Sequence, residues 1–155
     1  MVDKEQSIPF TSRDFISKLS GYYALTKPGI TYTILASMLI GFLMGSAGQP
    51  DLILMLHAAV GTYLIAGGTA AYNMVIERNL DGLMRRTSRR PLPSNRLTVK
   101  EGTIFSILFI AAGLLYLSLV VNFTAGMVSL ATTVIYLHIY TPLKRISALN
   151  VFVGA

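Results

Sequence analysis

Four apolar runs, each near the length needed to cross a bilayer, constrain this chain more than any other feature. They cover about residues 29–47, 52–76, 102–121 and 123–140. A membrane-crossing helix needs roughly 17–25 mainly apolar residues, and its backbone polar groups are then satisfied within the segment. Charged residues make up only 13% of the chain, against about 25% in a soluble domain. The expected fold is therefore all-α, a polytopic transmembrane helical bundle in the lipid bilayer.

The charges set the topology. All 13 Lys and Arg fall in the first 27 residues, in 78–100, or at Lys144-Arg145. The connections around residues 46–50 and at Asn122 carry none. Four spans with both ends on one side collect every basic residue there, and the positive-inside rule makes that side the cytoplasm. The reading is a multi-pass protein of the bacterial cytoplasmic (inner) membrane, with a cytoplasmic N-terminus. The net charge of +6 is explained by this asymmetry, without a nucleic-acid partner. Cysteine is absent, which removes thiolate chemistry.

Residues 1–27 read as a cytoplasmic arm, with an interfacial helix over 15–25. Asp3, Glu5 and Asp14 alternate there with Lys4, Arg13 and Lys18, and no apolar core of a signal peptide is present. The membrane domain starts at Pro28, a residue suited to a first helical turn. Gly41 and Gly45 have the spacing that lets helices approach closely, and Gly61, Gly67 and Gly68 add to it. After Arg145 the chain resumes an apolar pattern, as if starting a fifth span near 150. The chain is thus expected to be the N-terminal part of a longer membrane protein.

Chemistry concentrates where the second run ends. Asn73, Glu77 and Asp81 are spaced i, i+4, i+8, which puts them on one helix face. A carboxylate at that depth is costly unless it meets protein, water or a cation. Two carboxylates and an amide oxygen suit Mg²⁺, a hard ion held by few protein oxygens and by substrate phosphates. A diphosphate bound through Mg²⁺ would have its departing charge stabilised there. Arg85, Arg86, Arg89 and Arg90 follow at once; they are phosphate ligands or headgroup anchors. Arg90-Pro91-Leu92-Pro93 stiffens the loop, and Thr98 with Glu101 has capping-box spacing. The fourth run ends at the same level with Lys144 and Arg145, again diphosphate ligands or snorkelling anchors. Lys27 is an interface anchor or a contact of the same site. His138 is open between a helix contact, ligation of a haem iron and base chemistry. His57 lies near the opposite end.

The strings Ala71-Tyr72-Asn73-Met74-Val75-Ile76-Glu77-Arg78-Asn79-Leu80-Asp81 and Arg85-Arg86-Thr87-Ser88-Arg89-Arg90-Pro91-Leu92-Pro93 resemble the UbiA-type intramembrane prenyltransferases. So do Tyr140-Thr141-Pro142-Leu143-Lys144-Arg145 and Leu25-Thr26-Lys27-Pro28-Gly29. The resemblance implies nine helices around a cavity open to lipid, of which about four are present here. It also implies a second acidic motif, which this chain lacks. Mg²⁺ and a prenyl diphosphate would be held by Asn73, Glu77 and Asp81, with Arg85, Arg86, Arg89, Lys144 and Arg145 as diphosphate ligands. Quinone-type members usually carry an acid directly after the asparagine; Met74 stands there, which favours the haem-modifying branch. The implied reaction is transfer of a farnesyl group from farnesyl diphosphate to the vinyl group of haem B, with His138 a candidate acceptor contact. Haem A synthase or terminal-oxidase assembly factors are the implied protein partners. A prenyltransferase of a quinone precursor and part of an ion-coupled transporter are the competing readings.

Overall fold

The structure, a computed structural model, describes residues 12–144. It contains α1 (Ser12–Leu25), α2 (Pro28–Gly45), α3 (Leu52–Leu83), α4 (Val99–Val121) and α5 (Phe123–Leu143). The last four are long and apolar enough to cross a membrane. They alternate in direction, so the start of α2, the end of α3, the start of α4 and the end of α5 share one end. The described basic residues gather at that end; Arg145 and the start of a fifth span lie outside the described residues.

The helix ends follow from local chemistry. Asp51 Oδ1 accepts from the backbone N–H groups of Ile53 and Leu54 and so caps α3. Thr98 and Glu101 form the capping box that their spacing predicts, at the start of α4. Glu101 also accepts a 2.6 Å hydrogen bond from Lys18, tying α1 to α4. Asn122 is the whole connection between α4 and α5, and its side chain accepts from the Ala125 N–H. Both α4 and α5 widen into π-helical turns, at Leu117–Val121 and Ile135–Tyr140. Such turns recur at functional sites, and the second leads directly into Thr141.

Small residues, not large apolar ones, set the closest approach. A Cβ on Gly68 would stand 2.8 Å from the Ile110 backbone nitrogen, and one on Gly113 would stand 2.9 Å from that of Ile65. These glycines let α3 and α4 pack backbone to backbone, where van der Waals contact drives association in lipid. Gly61 and Gly67 also sit on packed surfaces. A Cβ on Gly41 or Gly45, with the four-residue spacing, would meet nothing within 4 Å among the described residues. Gly68→Ala is therefore expected to cost about 1–3 kcal/mol by overpacking. Gly41→Ala is expected to leave the thermal midpoint in detergent unchanged; equal midpoints for both variants would contradict this packing.

The best-buried apolar cluster lies at the basic end. Leu25, Ala71, Met74, Val75, Leu92 and Leu97 pack together, with Tyr22 and Phe105 against them. It is built from α1, α3, α4 and the loop after α3. That loop is thereby pinned, and the polar residues on the neighbouring face of α3 are held in place.

Candidate functional site

The C-terminal half of α3 has two faces. Met74 and Val75 turn into the apolar cluster, while Asn73, Glu77 and Asp81 line the adjacent face, all three buried. An acid at position 74 would sit among Leu25, Leu92 and Leu97, an apolar cluster in which a carboxylate is costly. Packing gives Met74 its place in this chain.

Each polar group on this face is met by a partner from another element. Asn73 Nδ2 donates to Glu77 Oε2 at 3.0 Å. Thr141 Oγ1, at the end of α5, lies 2.9 Å from both Asn73 Oδ1 and the Tyr136 carbonyl oxygen. Lys144 Nζ donates to Glu77 Oε1 at 3.1 Å. Arg90 Nη1 lies 2.7 Å from each carboxylate oxygen of Asp81. The Thr87 hydroxyl donates to the Asp81 carbonyl, closing the chain just beyond α3. Asp81 and Glu77 are nearly inaccessible, at 6% and 8% side-chain exposure, whereas Arg90 and Lys144 are at 27% and 48%. The acids are fixed, and their cationic partners reach in from the open side.

Local sequence explains how Arg90 arrives. Pro91 and Leu92 are buried, and the Pro91 carbonyl accepts from the N–H groups of Arg96 and Leu97. The loop therefore folds over the apolar cluster and leaves Arg90 above Asp81. Arg85, Arg86 and Arg89 are exposed on the same loop; among the described residues none of them bonds the acids. Arg145 lies outside the described residues. His138 is exposed, with Nδ1 3.3 Å from the Val134 carbonyl of its own helix. His57 is far from this site, paired with the Tyr116 hydroxyl at 2.7 Å between α3 and α4.

Lys27 completes the site. It precedes α2 with φ 47 and ψ 63, a left-handed conformation that costs a non-glycine residue of order 1–3 kcal/mol and is concentrated at functional positions. Its ammonium is pushed down to about 8, first by burial and then by Arg90; Glu77 and Asp81 pull the other way, and Lys144 lowers it further. The signal for it in the sequence was its place directly before Pro28, which brings it to the level of the acids. Lys27 and Tyr136 line one end of a cavity of about 240 Å³ between α2, α3 and α5, whose walls include Ile30, Ile34, Ile65 and Ala70.

The donor set is of the kind a hard divalent cation takes: two carboxylates and an amide oxygen on one helix face, met by Lys144, Arg90, the Thr141 hydroxyl and, at Glu77 Oε2, the Asn73 amide. No three His, Cys, Asp or Glu converge among the described residues, so any metal bound here keeps places for water or phosphate oxygens. Three cationic side chains facing two carboxylates leave an excess of positive charge, which suits an anion carrying its own metal. Carboxylates and cations thus stand together near an apolar cavity that Lys27 lines.

The model of the UbiA prenyltransferase family matches residues 34–155. The chain is similar to a protein named protoheme IX farnesyltransferase from Cytophaga hutchinsonii, 38% identical over 139 residues, covering 90% of this chain and 49% of the relative. It is also similar to proteins of that name from Koribacter versatilis, 39% identical over 90% of this chain and 46% of the relative. A mitochondrial one from Pyricularia oryzae is 36% identical over 89% of this chain and 27% of the relative. The chain spans about half the length of the bacterial relatives it matches. No solved structure matches it.

Proposed function

The chain belongs to the UbiA prenyltransferase family, and from that premise we propose that the full-length protein transfers a farnesyl group from farnesyl diphosphate to the vinyl group of haem B, releasing diphosphate, with water adding to the vinyl carbon left electron-poor and a proton lost. The observation that carries the site is the pairing of Glu77 with Lys144 and of Asp81 with Arg90 beside a cavity that also receives Lys27. The acceptor rests on the names of the relatives and on Met74, where quinone-type members usually carry an acid.

In this reading Asn73, Glu77 and Asp81 hold Mg²⁺. Held by these residues, Mg²⁺ would supply charge neutralisation for the departing diphosphate. Lys144 and Arg90 leave the acids and turn to phosphate oxygens, for which the guanidinium fork of Arg90 is well shaped. Lys27, which lines the cavity, supplies a third cation. Arg85, Arg86, Arg89 and Arg145 serve as outer phosphate ligands that guide the donor. The isoprenoid chain lies along the apolar walls between α2, α3 and α5, which exclude water from the allylic centre. His138 contacts the acceptor. The basic end faces the cytoplasm of a bacterial inner membrane, by the charge asymmetry, and haem A synthase or terminal-oxidase assembly factors are the expected downstream partners.

The test is product analysis by mass spectrometry after incubating the full-length protein with farnesyl diphosphate, Mg²⁺ and either haem B or 4-hydroxybenzoate. A farnesylated haem is expected. Prenylated benzoate as the sole product would overturn the acceptor assignment and leave the family chemistry standing.

A further inference from the structure

Only Thr26 and Lys27 separate α1 from α2. Lys27 makes the turn in the left-handed region, which glycine occupies without strain and asparagine at low cost. A bend alone would be better served by either of them. The lysine instead brings a cation to the cavity between α2, α3 and α5.

Both flanks of this turn are fastened. On the α1 side Lys18 pairs with Glu101, and the Tyr22 ring packs on Phe105 with centroids 5.2 Å apart. On the α3 side a Cβ on Gly67 would stand 3.2 Å from Thr26 Cβ, so the glycine lets α3 seat Thr26 directly. From α2, the fully buried Thr31 donates its hydroxyl to the Thr26 carbonyl at 2.6 Å. Thr33, Ser37, Thr103 and Thr132 bond the carbonyl four residues back, as hydroxyls in helices commonly do. Thr31 reaches five residues back, past Lys27. Pro28 has no N–H to offer, and among the described residues Thr31 is the donor that meets this carbonyl. Its bond spans the left-handed residue and fixes the peptide that leads into it.

We propose that Thr31, with Gly67 behind Thr26, is a positioning residue that locks the α1–α2 turn so that Lys27 is presented to the diphosphate. The inference rests on the reading of Lys27 as a phosphate contact. Thr31 acts through Lys27, by holding a strained backbone in one state. Without the bond the Lys27 backbone relaxes toward ordinary conformations, and its long side chain regains the rotamers that binding must freeze.

The test is a double-mutant cycle on KM for farnesyl diphosphate in the full-length protein, over wild type, T31V, K27M and T31V/K27M. Valine keeps the outline of threonine and removes the hydroxyl. T31V is expected to raise KM about three- to tenfold, the weight of one hydrogen bond, with a smaller change in kcat. T31S keeps the hydroxyl and is expected to restore the wild-type KM. In T31V/K27M the KM is expected to equal that of K27M, because no cation remains to be placed. Loss of folded protein lowers the apparent kcat and leaves KM unmoved, so KM reads the positioning. If T31V does not fold, G67A supplies the second arm: its Cβ crowds Thr26, and it is expected to raise KM only where Lys27 is present. A wild-type KM in the folded variant, or a rise that persists undiminished in the K27M background, would overturn the positioning role and leave Lys27 as a phosphate contact. A K27M variant with the KM of wild type would remove the reading of Lys27 and the positioning role with it.

Discussion

Asp81→Ala in the full-length protein is expected to lower kcat/KM for farnesyl diphosphate by about a thousandfold or more. Loss of one preorganised charge-stabilising group at a reacting centre costs roughly 10²–10³ in rate, and Asp81 contributes both to metal binding and to the placement of Arg90. In the structure its two oxygens face the Arg90 guanidinium at 2.7 Å. Glu77→Ala is expected to act similarly, since it removes the partner of Asn73 and Lys144 together. The readout is Mg²⁺-dependent release of diphosphate, measured beside the thermal midpoint of each variant. Turnover like wild type in both variants would remove these acids from the chemistry. A collapse of the midpoint in step with activity would mark a structural role, which D81N then separates by keeping the shape.

Lys27→Met is expected to raise KM for the prenyl diphosphate by about ten- to a hundredfold, with a smaller change in kcat. Hydrogen bonds to charged groups contribute about 1.5–3 kcal/mol, and Lys27 lines the cavity within electrostatic reach of Glu77 and Asp81. The pH profile gives an independent check. With its pKa pushed down to about 8, the ammonium is present below that pH and is lost as pH rises through it, so donor affinity falls above about pH 8. In K27R the inflection disappears, because arginine stays charged. For folding the sign is reversed: between about 8 and the ordinary lysine value the unfolded chain holds the extra proton, so stability rises with pH over that window. A KM in K27M equal to wild type across this range would return Lys27 to the role of interface anchor.

The spans and the face shared by Asn73, Glu77 and Asp81 were legible because hydropathy and helical periodicity are local properties. The level of Lys144 followed from topology, since four spans return the end of α5 to the level of the acids; its pairing with Glu77 came from the structure. The contact of Thr141 with Asn73 was not legible, for it depends on the π-helical turn over Ile135–Tyr140, which shifts the register of every later residue. Nor was the selection of Arg90 from four arginines. That choice is made by burial of Pro91 and Leu92, a tertiary event; the only hint was that Arg90 alone directly precedes the proline. The glycines show the same limit. The sequence pointed to Gly41 and Gly45 by spacing and to Gly61, Gly67 and Gly68 beside them; the α3–α4 backbones come together at Gly68 and also at Gly113, which no motif marked.

The central claim is that the polar face of α3 and its cationic partners form a metal-dependent diphosphate site. The most direct measurement is calorimetric binding of a non-hydrolysable farnesyl diphosphate analogue to the full-length protein, with and without Mg²⁺. The account expects tight binding only with Mg²⁺, and its loss in E77Q and D81N. Binding that is equally tight without Mg²⁺, and unchanged in both variants, would contradict it.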